Sequence, residues 1–141
     1  MKNIRNFFLS GLSIVLVLQA CALLPNLNKK LLDGTEWELV SIKDSAPIAG
    51  TTVTIAFSNG EVHGRSGCNT YFGSYQTDDE RISFGPLAMT EMACLEPVGS
   101  MQQEMQYLTI LSKANTFNIE NDQLTLAQDN QVQLIFRIIK Q

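Results

Sequence analysis

Apolar and polar residues alternate along most of this chain with the two-residue period of half-buried strands, and one stretch changes to the wider spacing of a helix. Val53, Ile55 and Phe57 alternate with Thr52, Thr54 and Ala56, which predicts a strand with one face buried. Ser58-Asn59-Gly60 follows, and Asn-Gly accepts the positive φ angles of a tight hairpin turn. Glu61 to Arg65 is therefore expected to return antiparallel, with Val62 and Gly64 on one face and His63 on the other. Upstream, Thr35 to Ile42 sets Trp37 and Leu39 opposite Glu36 and Glu38 and then changes phase at Val40 and Ile42. That change calls for a bulge near Leu39 or a strand end buried on both faces.

Further strands are expected at Thr70 to Tyr75, at Arg81 to Phe84 before Gly85-Pro86, and as an extended segment from Leu87 to Cys94. Lys43 to Gly50 and Gln76 to Glu80 are polar connections. Phe117 and Ile119, Leu124 and Leu126, and Val132, Leu134, Phe136 and Ile138 alternate about turns at 120–122 and 129–130. Pro97 to Ala114 is the helix: Val98, Met101, Met105, Leu108 and Ser112 recur at three to four residues, with Leu111 widening the stripe and glutamines opposite. The pattern predicts an α+β domain, a curled antiparallel sheet forming a partly open barrel with one packed helix.

The amino terminus follows a different rule. Lys2 and Arg5 precede an apolar run from Phe7 to Leu18 and then Leu18-Gln19-Ala20-Cys21, the layout of an export signal. It resembles a bacterial lipoprotein signal, which implies cleavage before Cys21 and acylation of that residue, palmitate being a typical chain. The expected organisation is a signal peptide over 1–20, a tether over 21–30 and one domain over 31–141. A chain held by two or more acyl groups stays on its membrane, and Ala22 in place of aspartate favours the outer membrane, facing the periplasm in a Gram-negative cell. Without Lys2 and Arg5 the chain has 8 basic and 14 acidic residues, a formal charge of −6. Nucleic acid is an unsuited partner for that balance.

The downstream motifs then carry a resemblance. Leu32-Asp33-Gly34-Thr35-x-Trp37-x-Leu39, Gly67-Cys68-Asn69 and Leu87-Ala88-Met89-Thr90-x-Met92-Ala93-Cys94, followed by a helix and a closing hairpin, resemble the META domain family of HslJ-like bacterial lipoproteins. The resemblance implies a sheet curled around a helix and an envelope protein associated with heat or antibiotic stress, with no established enzymatic activity. Its signature positions here are Gly34, Trp37, Gly67, Asn69, Thr90 and Met92. At Thr70 the chain departs from the family, where arginine commonly follows Cys-Asn.

For Cys68 and Cys94 three readings stand side by side: a disulfide, expected of two remaining thiols in an oxidising compartment; two buried free thiols; and a redox-active pair. His63 is the single histidine, so a triad or a histidine-rich metal site lacks its parts. Asp78-Asp79-Glu80 reads as a solvated turn rather than a calcium loop. Trp37, Tyr71, Phe72 and Tyr75 are expected in the core, with a small apolar ligand between the sheet and a Met101–Met105 helix face as the alternative. Asn69 is expected to bond the local backbone and fix a turn. No motif calls for a cofactor or metal. The expected function is that of a non-enzymatic, membrane-anchored envelope domain that binds another envelope component; the alternatives are a carrier or sensor of a small apolar ligand and a thiol redox enzyme.

Overall fold

The computed structural model describes residues 32–140; the expected signal peptide, Cys21 and the whole of the expected tether lie outside them. The strands are β1 (Glu36–Ile42), β2 (Thr52–Ser58), β3 (Glu61–Gly67), β4 (Thr70–Asp78), β5 (Arg81–Phe84), β6 (Ala88–Met89), β7 (Thr116–Glu120), β8 (Gln123–Gln128) and β9 (Gln131–Lys140), with helix α1 (Ser100–Leu111) between β6 and β7. Neighbours in sequence pair antiparallel except at β6, which pairs with β4 and leaves β5 to pair with β7, and β1 pairs with β9. Eight strands thus close into an antiparallel up-and-down barrel. β6 continues β5 along the same edge of β4, because Gly85-Pro86 shifts the register by one residue. The expected partly open sheet is therefore corrected: its first and last strands are long and twisted enough to meet.

Local chemistry dictates the turns. Asn59 and Gly60 have φ of 53° and 84°, the left-handed pair that keeps the hairpin twist in step with its strands. Lys43-Asp44, Asn121-Asp122 and Asp129-Asn130 repeat the device with positive φ at both positions. The phase change in β1 is a bulge: Leu39 pairs with Phe136 but Ser41 with Ile135, which turns Val40 out and returns Ile42 to the core. A second bulge, where Leu126 pairs with Leu134 but Ala127 with Val132, leaves Val132 outside, against the expected inward alternation.

The motif before β1 closes one end of the barrel. Leu32 is fully buried, Asp33 accepts the Asn59 backbone N–H at 2.5 Å, and Gly34 bends at φ 83°. The Thr35 hydroxyl donates to the Leu32 carbonyl at 2.5 Å and accepts the Trp37 indole N–H at 2.7 Å. Trp37, Phe57, Tyr71, Tyr107 and Phe136 fill the interior together with Ile55, Leu111, Leu124, Leu126 and Leu134. This is a packed core rather than a cavity.

Helix α1 packs mainly on β3, and on β9, and its orientation overturns one expectation. It runs from Ser100 rather than Pro97 and ends at Leu111, since Pro97 to Gly99 form a turn in which the Ser100 N–H bonds the Pro97 carbonyl. Its buried residues are Ser100, Gln103, Glu104, Tyr107, Ile110 and Leu111. Met105 is 66% exposed and Val98 79% exposed. The methionine stripe faces outward because the competing stripe Tyr107, Ile110, Leu111 and Ala114 is bulkier, while Gln103 and Glu104 find polar partners inside.

Candidate functional site

Four of the six signature residues, Gly67, Asn69, Thr90 and Met92, meet at the barrel end that carries the β1–β2 loop and the β3–β4 turn, whereas Gly34 lies at the opposite end and Trp37 in the core. Gly67, at φ 113°, reverses the chain, and the Ser66 N–H closes the turn on the Asn69 carbonyl at 2.8 Å. Cys68 is joined to Cys94 by a disulfide with Cα atoms 5.9 Å apart. The two cysteines are therefore bonded, which overturns the reading as buried free thiols. Closing a loop of this length contributes about 3 kcal/mol in the chain-entropy model.

Asn69 is the hub. Its side-chain amide donates to Glu104 Oε1 at 2.8 Å and to the Met92 carbonyl at 3.2 Å. Its carbonyl oxygen accepts the Thr90 hydroxyl and the Met92 N–H, each at 2.8 Å. Both donors and both acceptor positions of the side chain are thus used. The expected side-chain bond to local backbone is corrected: the Asn69 side chain bonds the distant segment Thr90–Met92, and its own turn is closed by backbone groups. This explains the spacing of the third motif: Thr90 and Met92 grip Asn69, and Cys94 reaches Cys68.

Glu104 was not among the residues singled out in the sequence. It is fully buried and accepts the Asn69 N–H at 2.7 Å and the Ser66 hydroxyl at 2.5 Å on Oε2. The same hydroxyl lies 2.9 Å from the Asn69 carbonyl; having one proton, it gives it to the carboxylate at the shorter distance. Burial would raise the Glu104 pKa, but the bonds from Ser66, from the Asn69 side chain and from the Asn69 and Cys68 backbone N–H groups outweigh it and hold the carboxyl below its usual range. The adjacent Gln103 ties the helix to the other loop. Its carbonyl oxygen accepts the Ile48 N–H at 2.6 Å and its amide donates to the Thr51 hydroxyl at 2.9 Å. The signal for Glu104 was its spacing of three from Tyr107 and seven from Leu111, masked by the general rule that carboxylates face water.

Deeper in, the Tyr71 and Tyr107 hydroxyls are 2.7 Å apart, and Tyr71 donates to the Thr54 carbonyl at 3.0 Å. With the Tyr71 proton so committed, Tyr107 donates to Tyr71. Desolvation raises both tyrosines, Tyr71 well above its ordinary value, and it also raises Tyr75, with Asp33 adding to that shift. These are all the tyrosines of the chain. Their folded pKa values exceed the unfolded value of about 10, so their contribution to stability is complete below pH 10 and is lost as pH rises through the folded values. Absorbance at 295 nm during alkaline titration should therefore stay flat past pH 10 and rise together with loss of ellipticity. Tyrosinate appearing gradually in the folded protein would contradict this.

The remaining sequence candidates lie apart. His63 points outward opposite Phe72, which is 62% exposed and so not core. Both line an outer-face cleft of about 450 Å³ with Glu61 and Ser74. Asp78, Asp79 and Glu80 lie exposed at the β4–β5 turn. Met101 is half-buried and Met105 exposed, so that methionine face turns largely toward solvent rather than onto the sheet. The Glu104 carboxylate, saturated and held ionised, and the tyrosines, held neutral, are poorly matched to proton transfer near neutral pH.

The network instead positions a loop. The segment 91–99 is held at Met92 by Asn69, at Cys94 by the disulfide and at Ser100 by the helix. Between those points Met92, Leu95 and Val98 are 54%, 85% and 79% exposed.

A META domain family model matches residues 30–139. An NMR structure of a protein from Burkholderia xenovorans is 32% identical, with 83% of this chain and 90% of that chain covered and a TM-score of 0.67. A second NMR structure is 21% identical over 79% of this chain and 95% of that one, with a TM-score of 0.65. The crystal structure of a DUF4847 family protein from Bacteroides vulgatus shares the fold at 14% identity, covering 81% of this chain and 99% of that one, with a TM-score of 0.58. Among curated proteins nothing matches the chain.

Proposed function

The chain belongs to the META domain family, and from that premise we propose that it is a non-enzymatic envelope lipoprotein, anchored through Cys21, that supports envelope integrity under heat or antibiotic stress by binding another envelope component. The observation that carries this reading is the apolar loop 91–99, presented to solvent by a brace whose polar groups are all engaged. Exposed apolar side chains on a rigidly held loop are what a partner contact requires. The export layout of residues 1–21 supports the anchoring.

The geometry also suits an anchored protein. Asp33 and Gly34 bond the β2–β3 end of the barrel, whereas the loop 91–99 joins the β3–β4 end. The described chain thus enters the barrel at the end opposite this loop. The filled interior and the outward methionines speak against a ligand carried between sheet and helix. The cystine and the distance in role between Cys68 and the outward His63 give a thiol enzyme no support.

Two measurements test the proposal. Cys21→Ala should abolish acylation and release the protein from the membrane fraction. Leu95→Asp with Val98→Asp should abolish protection against heat or antibiotic challenge at an unchanged Tm. Full protection by that double variant, or persistence of Cys21→Ala in the membrane fraction, would refute the reading.

A further inference from the structure

The barrel is closed least firmly beside β6. β5 meets β7 at the single register pair Arg81 with Thr116, reinforced by the bonds Ile82 N–H to the Asn115 carbonyl and Phe117 N–H to the Glu80 carbonyl. Beyond Ile82, neither β5 nor β6 has a strand partner, among the described residues, on the side away from β4. The ladder fixes which backbone groups face that open side. The Thr90 N–H bonds the Thr70 carbonyl, so in antiparallel alternation Ala88 and Thr90 turn their backbone groups toward β4, while Leu87 and Met89 turn theirs away. Pro86 lies just before this run and leaves it intact.

Exposed edges are commonly guarded by lysine or an inward charge, and this one is not. No lysine, arginine or histidine occurs between Ile82 and Ser112, whereas Glu91 and Glu96 are exposed. Beyond Met1, every methionine of the chain lies between residues 89 and 105. Met89 and Met92 are 41% and 54% exposed beside the edge. On the helix, Met101 is half-buried and Met105 exposed, a turn or less from the Glu104 that holds the β3–β4 turn. An open strand edge, soft side chains that repack around varied partners and an acidic border occur together here.

We propose that the β6 edge from Leu87 to Glu91 takes an extended peptide segment of a partner protein as an added strand, one in which apolar residues alternate with basic ones. Backbone pairing with Leu87 and Met89 supplies the affinity, the methionines receive the apolar side chains, and Glu91 and Glu96 select the basic ones. This deepens the partner-binding reading above and rests on it for its biological setting.

The test is an NMR titration of the full chain in non-ionic detergent with a short peptide alternating valine with lysine. Saturable shifts are expected at the Leu87, Met89 and Glu91 amides and the Met89 and Met92 methyls. Binding should weaken with salt, and Glu91→Lys with Glu96→Lys should weaken it roughly fivefold, as two rim charges would. A peptide with glutamate for lysine, or with proline at alternate positions, should not bind. The proline peptide alters the ligand alone, so the result does not depend on a variant's folding. Equal binding of the proline peptide, shifts elsewhere, no binding at millimolar peptide, or edge shifts that depend on protein concentration alone would each overturn the proposal, the last by assigning the edge to a second copy. The titration is independent of anchoring and stress survival, so its failure is separable from failure of the envelope role.

Discussion

Replacing Glu104 by alanine is expected to destabilise the domain by about 4 kcal/mol, because it strands buried donors that now share one carboxylate. Those donors are the Ser66 hydroxyl and the Asn69 backbone and side-chain N–H groups. In a domain of this size the loss lowers Tm by about 15 °C or more. Glu104→Gln keeps the shape and one acceptor oxygen but turns an amide toward donors, so it should fall between the two. The effect has a definite pH dependence. The folded pKa of Glu104 is lowered, so its contribution is present above the unfolded value of about 4.3 and is lost as pH falls through the folded value. The gap between wild type and Glu104→Ala should be full at pH 7 and should shrink in strong acid. Urea unfolding at both pH values decides this, and a gap that persists unchanged would refute the charged role.

The second large effect is expected at Gly64. A Cβ there would lie 2.1 Å from the Thr54 carbonyl oxygen, 2.8 Å from its carbon and 3.1 Å from the Tyr71 hydroxyl. The first two are backbone atoms, so no flexible side chain can yield. β2 and β3 would have to separate where Tyr71 captures the Thr54 carbonyl, and the Tyr107–Tyr71–Thr54 chain would break with them. We expect Gly64→Ala to cost about 3 kcal/mol or more. Gly34→Ala is the control: nothing lies within 4 Å of its Cβ, and the penalty is the φ of +83° alone, about 1–2 kcal/mol. If the two variants unfold at the same denaturant concentration, close approach is not the reason for glycine at 64.

Much of the frame was legible beforehand for identifiable reasons. Alternation in β2, β3 and β8 reports burial directly, since one face of each strand meets the core. The Asn59-Gly60 turn was legible because few other residues tolerate two positive φ angles in succession. A disulfide between Cys68 and Cys94 was among the three readings because few thiols remain in the chain. The helix face misled for an equally definite reason. Hydrophobic spacing assumes that polar residues seek water, and on α1 Gln103 and Glu104 are the ones that bind the two loops of the barrel end.

Phe72 shows the same limit in a strand. An aromatic ring predicts burial, yet strand parity, set by the inward Tyr71 and Tyr75 on either side, places it outside. Asn69 was recognised as a turn residue because its side chain is short and polar. Its reach to Thr90 and Met92 depends on where a later segment returns.

From its sequence alone this protein is an alternating antiparallel domain with one helix, family motifs at three places and an export-like leader, because period, turn chemistry and cysteine count are local properties. Closure of the barrel, the burial of Glu104 and the unpaired edge of β6 were decided by the tertiary structure. Each depends on which distant segments meet, and the free energy of a buried carboxylate or an open backbone edge is set by those neighbours rather than by the residue itself.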